Sequence, residues 1–184
     1  MRDPKAEARR WLAAAREELV WARHAAAGGF HAPACFHAQQ GAEKAVKAVH
    51  YLHGARVVIG HNVRALIESL EPRVSFLDAL VDAGRELDLF YIPTRYPNGL
   101  DSGTPGEAFS ASQSDRAIEH IMAIVEAATQ VVEPPVKPSP GENAAGGPAS
   151  ADPGQAPADE MTPSEEKTAE EKIAEEKQKP GVVE

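Results

Sequence analysis

The chain has 184 residues, with 28 Asp and Glu against 19 Lys and Arg, a formal net charge of −9. That length holds one ordinary domain, and the charge excludes the strongly basic balance that announces binding to a phosphate backbone. The acidity is uneven. Residues 1–132 carry 14 basic against 16 acidic side chains, net −2, whereas residues 133–184 carry 5 against 12, net −7.

Asp3 followed by Pro4 reads as a helix cap and first helical position. From there to about Ala27, Ala8, Trp11, Leu12, Ala15, Leu19, Ala22 and Ala26 form one apolar stripe, and Gly28-Gly29 ends the helix. After the short connector Phe30-His31-Ala32, Pro33 opens a second helix that Gly54 closes. A connector so short predicts an antiparallel hairpin. Cys35, Ala38, Ala42, Ala45, Val46, Val49 and Leu52 make its core stripe. Beside that stripe stand Gln39, Gln40, Glu43, Lys44 and Lys47, too many polar groups for a plain core-facing helix.

Ala55–Gly60 is a loop whose Val57-Val58-Ile59 run is too isolated to support a sheet. His61 or Asn62 starts a third helix, with Val63, Leu66, Ile67 and Leu70 inward, ending at Glu71-Pro72. A fourth is expected from Val74 to Phe90, with Leu77, Leu80, Val81, Gly84 and Leu87 inward. Residues 91–107, YIPTRYPNGLDSGTPGE, read as a long ordered loop or lid, and a last helix runs from Ser110 to Val132.

Beyond Val132 lie nine of the 15 prolines and no aromatic residue. A segment of that composition buries too little apolar surface to offset its ordering entropy. The expected organisation is a helical bundle over residues 1–132, all-α, antiparallel and up-and-down with four to five helices. A disordered acidic Pro/Ala/Glu-rich tail over residues 133–184 completes it.

Cys35 is the single cysteine, so no internal disulfide forms. No apolar run has the length of a membrane span, and the charged N-terminus is not a signal peptide. The expected location is cytoplasmic, with no membrane partner. Seven histidines invite a metal site, but His50 and His53 lack an acidic neighbour one turn away, and there is no HExxH or cysteine pair. Neither a metal nor a cofactor is expected.

Two constellations carry chemistry. Arg56 and His61 stand at R-x4-H spacing. Brought together, such a pair cleaves RNA without metal, the histidine moving the proton and the guanidinium steadying the phosphorane. The bland alternative has His61 capping the third helix and Arg56 on a solvated loop. The second constellation is Tyr91, Arg95, Tyr96 and Pro97, which suits stacking and pairing with a nucleotide. The alternative there is a packed loop whose arginine bridges to Glu43 or Asp88.

Taken together, Trp11, the segment CFHAQQGAEKAVKAV, His61 opening a helix, and LFYIPTRYPNG resemble the HEPN domain family over about residues 5–130. The resemblance implies an antiparallel bundle that forms a homodimer. It also implies a minimal nucleotidyltransferase as partner, in a toxin–antitoxin-like pair, and binding of a nucleotide or RNA. Gln40, Glu43, Lys44, Lys47, His61, Tyr91, Arg95 and Tyr96 would then line the ligand site. A non-catalytic structural adaptor is a further alternative. The ribonuclease branch of the family carries R-x4-6-H at the start of a late helix; here no histidine follows Arg95 at that spacing, and the next is His120.

Overall fold

A computed structural model describes residues 3–135, and these contain helices and turns with no strand. Three long helices form the core: α1 (Pro4–Ala27), α2 (His31–Leu52) and, at the end of the described chain, α7 (Ala111–Val132). Between α2 and α7 come four short helices, α3 (Val63–Glu68), α4 (Ser75–Asp78), α5 (Val81–Asp88) and α6 (Pro105–Ala108), with a 3-10 turn at Pro97–Gly99. Beyond Pro135, the expected acidic tail lies outside the described residues.

The ends of the long helices follow from local chemistry. Asp3 accepts a hydrogen bond from the Lys5 amide at 3.0 Å, satisfying an orphan donor of the first turn. Gly29 turns the chain after α1 in the left-handed region, φ +78°. Ser110 and Gln113 form a reciprocal capping box at the start of α7.

Cross-helix contacts fix the directions. Trp11 meets Tyr51, Glu18 meets Lys44 and Trp21 meets His37, so α2 runs antiparallel to α1. Arg16 meets Thr129 and Glu133 while Arg23 meets Met122, so α7 is also antiparallel to α1. It follows that α2 and α7 run the same way, and His31 Nδ1 to Ser114 Oγ at 3.0 Å ties their N-terminal ends. The intervening short helices provide the return.

The second helix is the centre. It touches α1, α7, α3, α5 and α6, and of its predicted stripe Cys35, Ala38, Ala42, Ala45, Val46 and Val49 are fully buried while Leu52 is partly buried. Gly41 sits where the three long helices cross. A Cβ there would lie 2.1 Å from Ile121 Cδ1, 2.9 Å from Glu18 Cβ and 3.2 Å from the Ala15 carbonyl oxygen. Only a residue without a side chain allows that approach.

Four expected elements differ: α2 begins at His31, inside the expected connector, and the expected loop 91–107 holds the 3-10 turn and most of α6; the other two are the helices that follow α2. The continuous helix over Val74–Phe90 is broken at Ala79-Leu80: α4 and α5 both touch α3 and α7, α5 packs on α2 as well, and Leu80, with φ −105° and ψ 13°, turns the chain between them. The third helix begins at Val63 and ends at Glu68, short of Glu71. Asn62, not His61, is its cap, accepting from the Ala65 amide at 2.7 Å. No described helix is long and apolar enough to cross a membrane.

Candidate functional site

The polar side chains of α2 are held in the seam, and Gln39 and Glu43 anchor them. Gln39 is fully buried. It donates through Nε2 to the His61 carbonyl at 2.7 Å and accepts from Gln40 Nε2 at 2.6 Å, so it ties the loop before α3 to α2. Glu43 is also buried. Its Oε1 accepts from Lys47 Nζ at 2.8 Å, Gln40 Nε2 approaches Oε2 at 3.4 Å, and His61 Nδ1 lies 3.2 Å from Oε2. A buried carboxylate with an ammonium one helical turn away is paired as burial of charge requires.

The start of α3 is fixed by a second carboxylate. Asp88, at the end of α5, accepts from the Val63 and Arg64 amides at 2.6 and 3.1 Å. Burial raises its pKa above the ordinary aspartate range, against those two backbone hydrogen bonds that favour the charged form. This clamp sets the position of His61, two residues upstream.

From His61 the site continues through aromatic rings. The His61 ring stacks on Tyr91 with centroids 4.9 Å apart and planes 14° from parallel. Arg95 lies against three rings, its Cζ 4.4 Å from the centroid of Tyr91, 4.8 Å from Phe36 and 5.0 Å from Tyr96. The Arg95 Nε donates to the Tyr91 carbonyl at 2.9 Å. Among the described residues no carboxylate pairs with Arg95, so the bridges to Glu43 or Asp88 of the alternative reading are not formed. The guanidinium is aimed by stacking and has no counter-charge among the described residues.

The structure therefore joins Gln40, Glu43, Lys47, His61, Tyr91, Arg95 and Tyr96 into one connected surface. Lys44 is placed apart. Its ammonium pairs with Glu18 on α1, which also takes His37 Nδ1 at 2.6 Å. Burial alone would raise the Glu18 pKa, but Lys44 and His37 outweigh it and hold the carboxyl below its ordinary range. Lys47 turns its ammonium under the seam, 5.7 Å from the Trp11 ring centroid and paired with Glu43. Arg56 is exposed and forms no hydrogen bond or ion pair with His61.

Phe36 and Gln39 belong to the site without having been expected there. Phe36 is one helical turn before Gln40, and that spacing on α2 was the available signal. Gln39, one of the polar set beside the stripe, is buried in the seam and held by its two hydrogen bonds. Glu18 could not have been found by spacing, since only the α1–α2 register brings it to Lys44. Cys35 is buried in the core and burial pushes its thiol up to about 12, far from a reactive thiolate. Among the described residues no group of three or more His, Cys, Asp or Glu side chains could hold a metal ion.

Helices packed around a central polar helix, with a stacked arginine at one end of its seam, define the class: an all-α bundle with a polar surface built into its packing. The chain belongs to the HEPN family, whose HEPN domain profile matches residues 8–133. Two solved structures share the fold. TT1696 from Thermus thermophilus has a TM-score of 0.65 at 34% identity, covering 68% of this chain and 98% of that one. ST0689, described as an archaeal HEPN homologue, has a TM-score of 0.58 at 28% identity, covering 69% of this chain and 98% of that one. No curated protein matches the chain.

Proposed function

We propose that this HEPN protein is a binding module for a nucleotide or an RNA end. In this reading it acts as a homodimer with a nucleotidyltransferase partner in a toxin–antitoxin-like pair, in the cytoplasm. The observation that carries the binding site is Arg95: a cation held on three aromatic rings, with no carboxylate of its own among the described residues. A phosphate supplies the missing counter-charge. Tyr96, 48% exposed, and His61 offer flat surfaces for a base. Gln40, Glu43 and Lys47 support this surface from beneath rather than touching phosphate, because Lys47 already has its carboxylate. Lys44 lies outside the ligand contacts for the same reason.

The reading places binding in residues 1–132 and leaves residues 133–184 as an acidic appendage. Fluorescent ATP and a short labelled RNA, titrated into the full chain, test it. Binding should fall at least tenfold in Arg95→Ala, survive in Lys44→Ala, and survive removal of residues 136–184. Equal binding by wild type and Arg95→Ala removes the site.

One observation favours a second reading, metal-independent RNA cleavage. Glu43 holds Nδ1 of His61, leaving Nε2 as the nitrogen open to a ligand, with Arg95 on the same Tyr91 ring. A histidine oriented in this way can act on a proton while a guanidinium steadies the phosphate charge. Arg56 is the other arginine available to it in sequence. Cleavage of RNA in a chelator, lost in His61→Ala, supports this reading, and intact RNA with wild-type protein eliminates it.

A further inference from the structure

Beside the α1–α2 seam lies a groove of about 290 Å³, lined by Glu7, Arg10, Trp11 and Ala14 of α1 and by Lys44 of α2. The four α1 residues stand at i, i+3, i+4 and i+7. That square is what receives one knob when a second helix packs across the first. Its rim is fixed: the Glu7 carboxylate accepts from Arg10 at 3.1 Å and from Trp11 Nε1 at 3.2 Å. Ala14 is small and leaves the floor open.

One heptad beyond Ala14 on the same face stands Trp21, 58% exposed. Among the described residues its ring meets the rings of His24 and His37, at 6.4 and 6.5 Å between centroids. A knob and a square that receives it thus occupy one helix face.

We propose that this face of α1 is the surface on which a second copy of the chain docks, α1 antiparallel to α1, with Trp21 of each copy filling the groove of the other. The argument for a second copy is self-complementarity. The antiparallel register that seats Trp21 over the square of Glu7, Arg10, Trp11 and Ala14 also seats Ala14 over the next square, Ala14, Glu17, Glu18 and Trp21. One register satisfies both, and two-fold symmetry makes each contact twice. The charges agree with it. Arg10 falls beside Trp21 and Glu17 of the second copy, giving a cation–π contact and an ion pair along one edge. Tryptophan and arginine at the centre of a face are the residues that carry association energy.

This inference rests on the homodimer reading above and names its surface. Sedimentation velocity of the full chain over a dilution series tests it, with circular dichroism confirming that each variant keeps the wild-type helix content. Wild type should be a dimer, Trp21→Ala should weaken it at least tenfold, and Ala14→Arg should be monomeric. Arg10→Glu should weaken the dimer, and Arg10→Glu with Glu17→Arg should restore it, a rescue that a merely structural role would not produce. A wild type that stays monomeric overturns both the homodimer and this surface. A dimer untouched by Trp21→Ala and Ala14→Arg overturns this surface alone.

Discussion

His61 lies flat on Tyr91, 4.9 Å between ring centroids, while its Nδ1 faces the buried carboxylate of Glu43. The two residues are 30 apart in sequence, and three separate devices bring them together. Gln39 holds the His61 carbonyl, Asp88 holds the first amides of α3, and Arg95 holds the Tyr91 carbonyl and ring. The His61 side chain is 57% exposed, so the ring stays accessible to a ligand while Glu43 and Tyr91 hold it.

Glu43 is the residue on which this arrangement depends most. Glu43→Ala leaves the Lys47 ammonium buried without a counter-charge, which should destabilise the domain by about 3–5 kcal/mol. Replacing both partners with apolar residues, Glu43→Leu with Lys47→Met, should recover most of that loss, because no charge is then stranded. Urea denaturation of the three proteins checks the order.

Gly41→Ala sets two effects against each other. Helix propensity favours alanine by about 1 kcal/mol, but the new methyl would lie 2.1 Å from Ile121 Cδ1 and 2.9 Å from Glu18 Cβ, so the Ile121 side chain and the approach of α1 must both give. Overpacking costs about 1–3 kcal/mol, so the net change should be destabilising and Tm should fall. Adding Ile121→Val, which removes that Cδ1, should return part of the lost Tm.

Acid should weaken the fold in two stages. His50 accepts no easy charge: burial lowers its pKa below 6.5, although Nε2 meets the Leu66 carbonyl at 2.9 Å. Stability from its neutral form is therefore present above pH 6.5 and lost as pH falls through the lowered folded value. Glu18 follows at lower pH. Its folded pKa lies below 4.5, so its contribution is complete above pH 4.5 and lost as pH falls through that lower value. Denaturation of wild type and Glu18→Gln from about pH 7 to about pH 3 should show a gap that is constant above pH 4.5 and closes below it. A gap that widens on acidification would contradict the pairing.

The long helices were legible because their signals are local. Asp3-Pro4, Gly28-Gly29 and Ser110 mark ends, and the apolar spacing of α2 reads directly as its buried face. The division of residues 74–90 was not legible. Leu77, Leu80, Gly84 and Leu87 keep helical spacing across the break, so the apolar pattern carries no sign of the turn at Leu80. The polar surface was legible in part: Glu43, His61, Tyr91 and Arg95 announce themselves by type. The Lys47–Glu43 pair is an i,i+4 contact readable from spacing within α2, but that Lys44 faces Glu18 depends on the α1–α2 register, which spacing within one helix does not contain.

The central claim is that Arg95 is an aimed cation waiting for a phosphate. Isothermal titration of ATP into the full chain, compared with Arg95→Ala and Arg95→Lys, tests it most directly. Wild type should bind, Arg95→Ala should lose at least tenfold in affinity, and Arg95→Lys should recover only part, since an ammonium keeps the charge but not the planar fork or the stacking. Equal affinity in all three proteins would contradict the account.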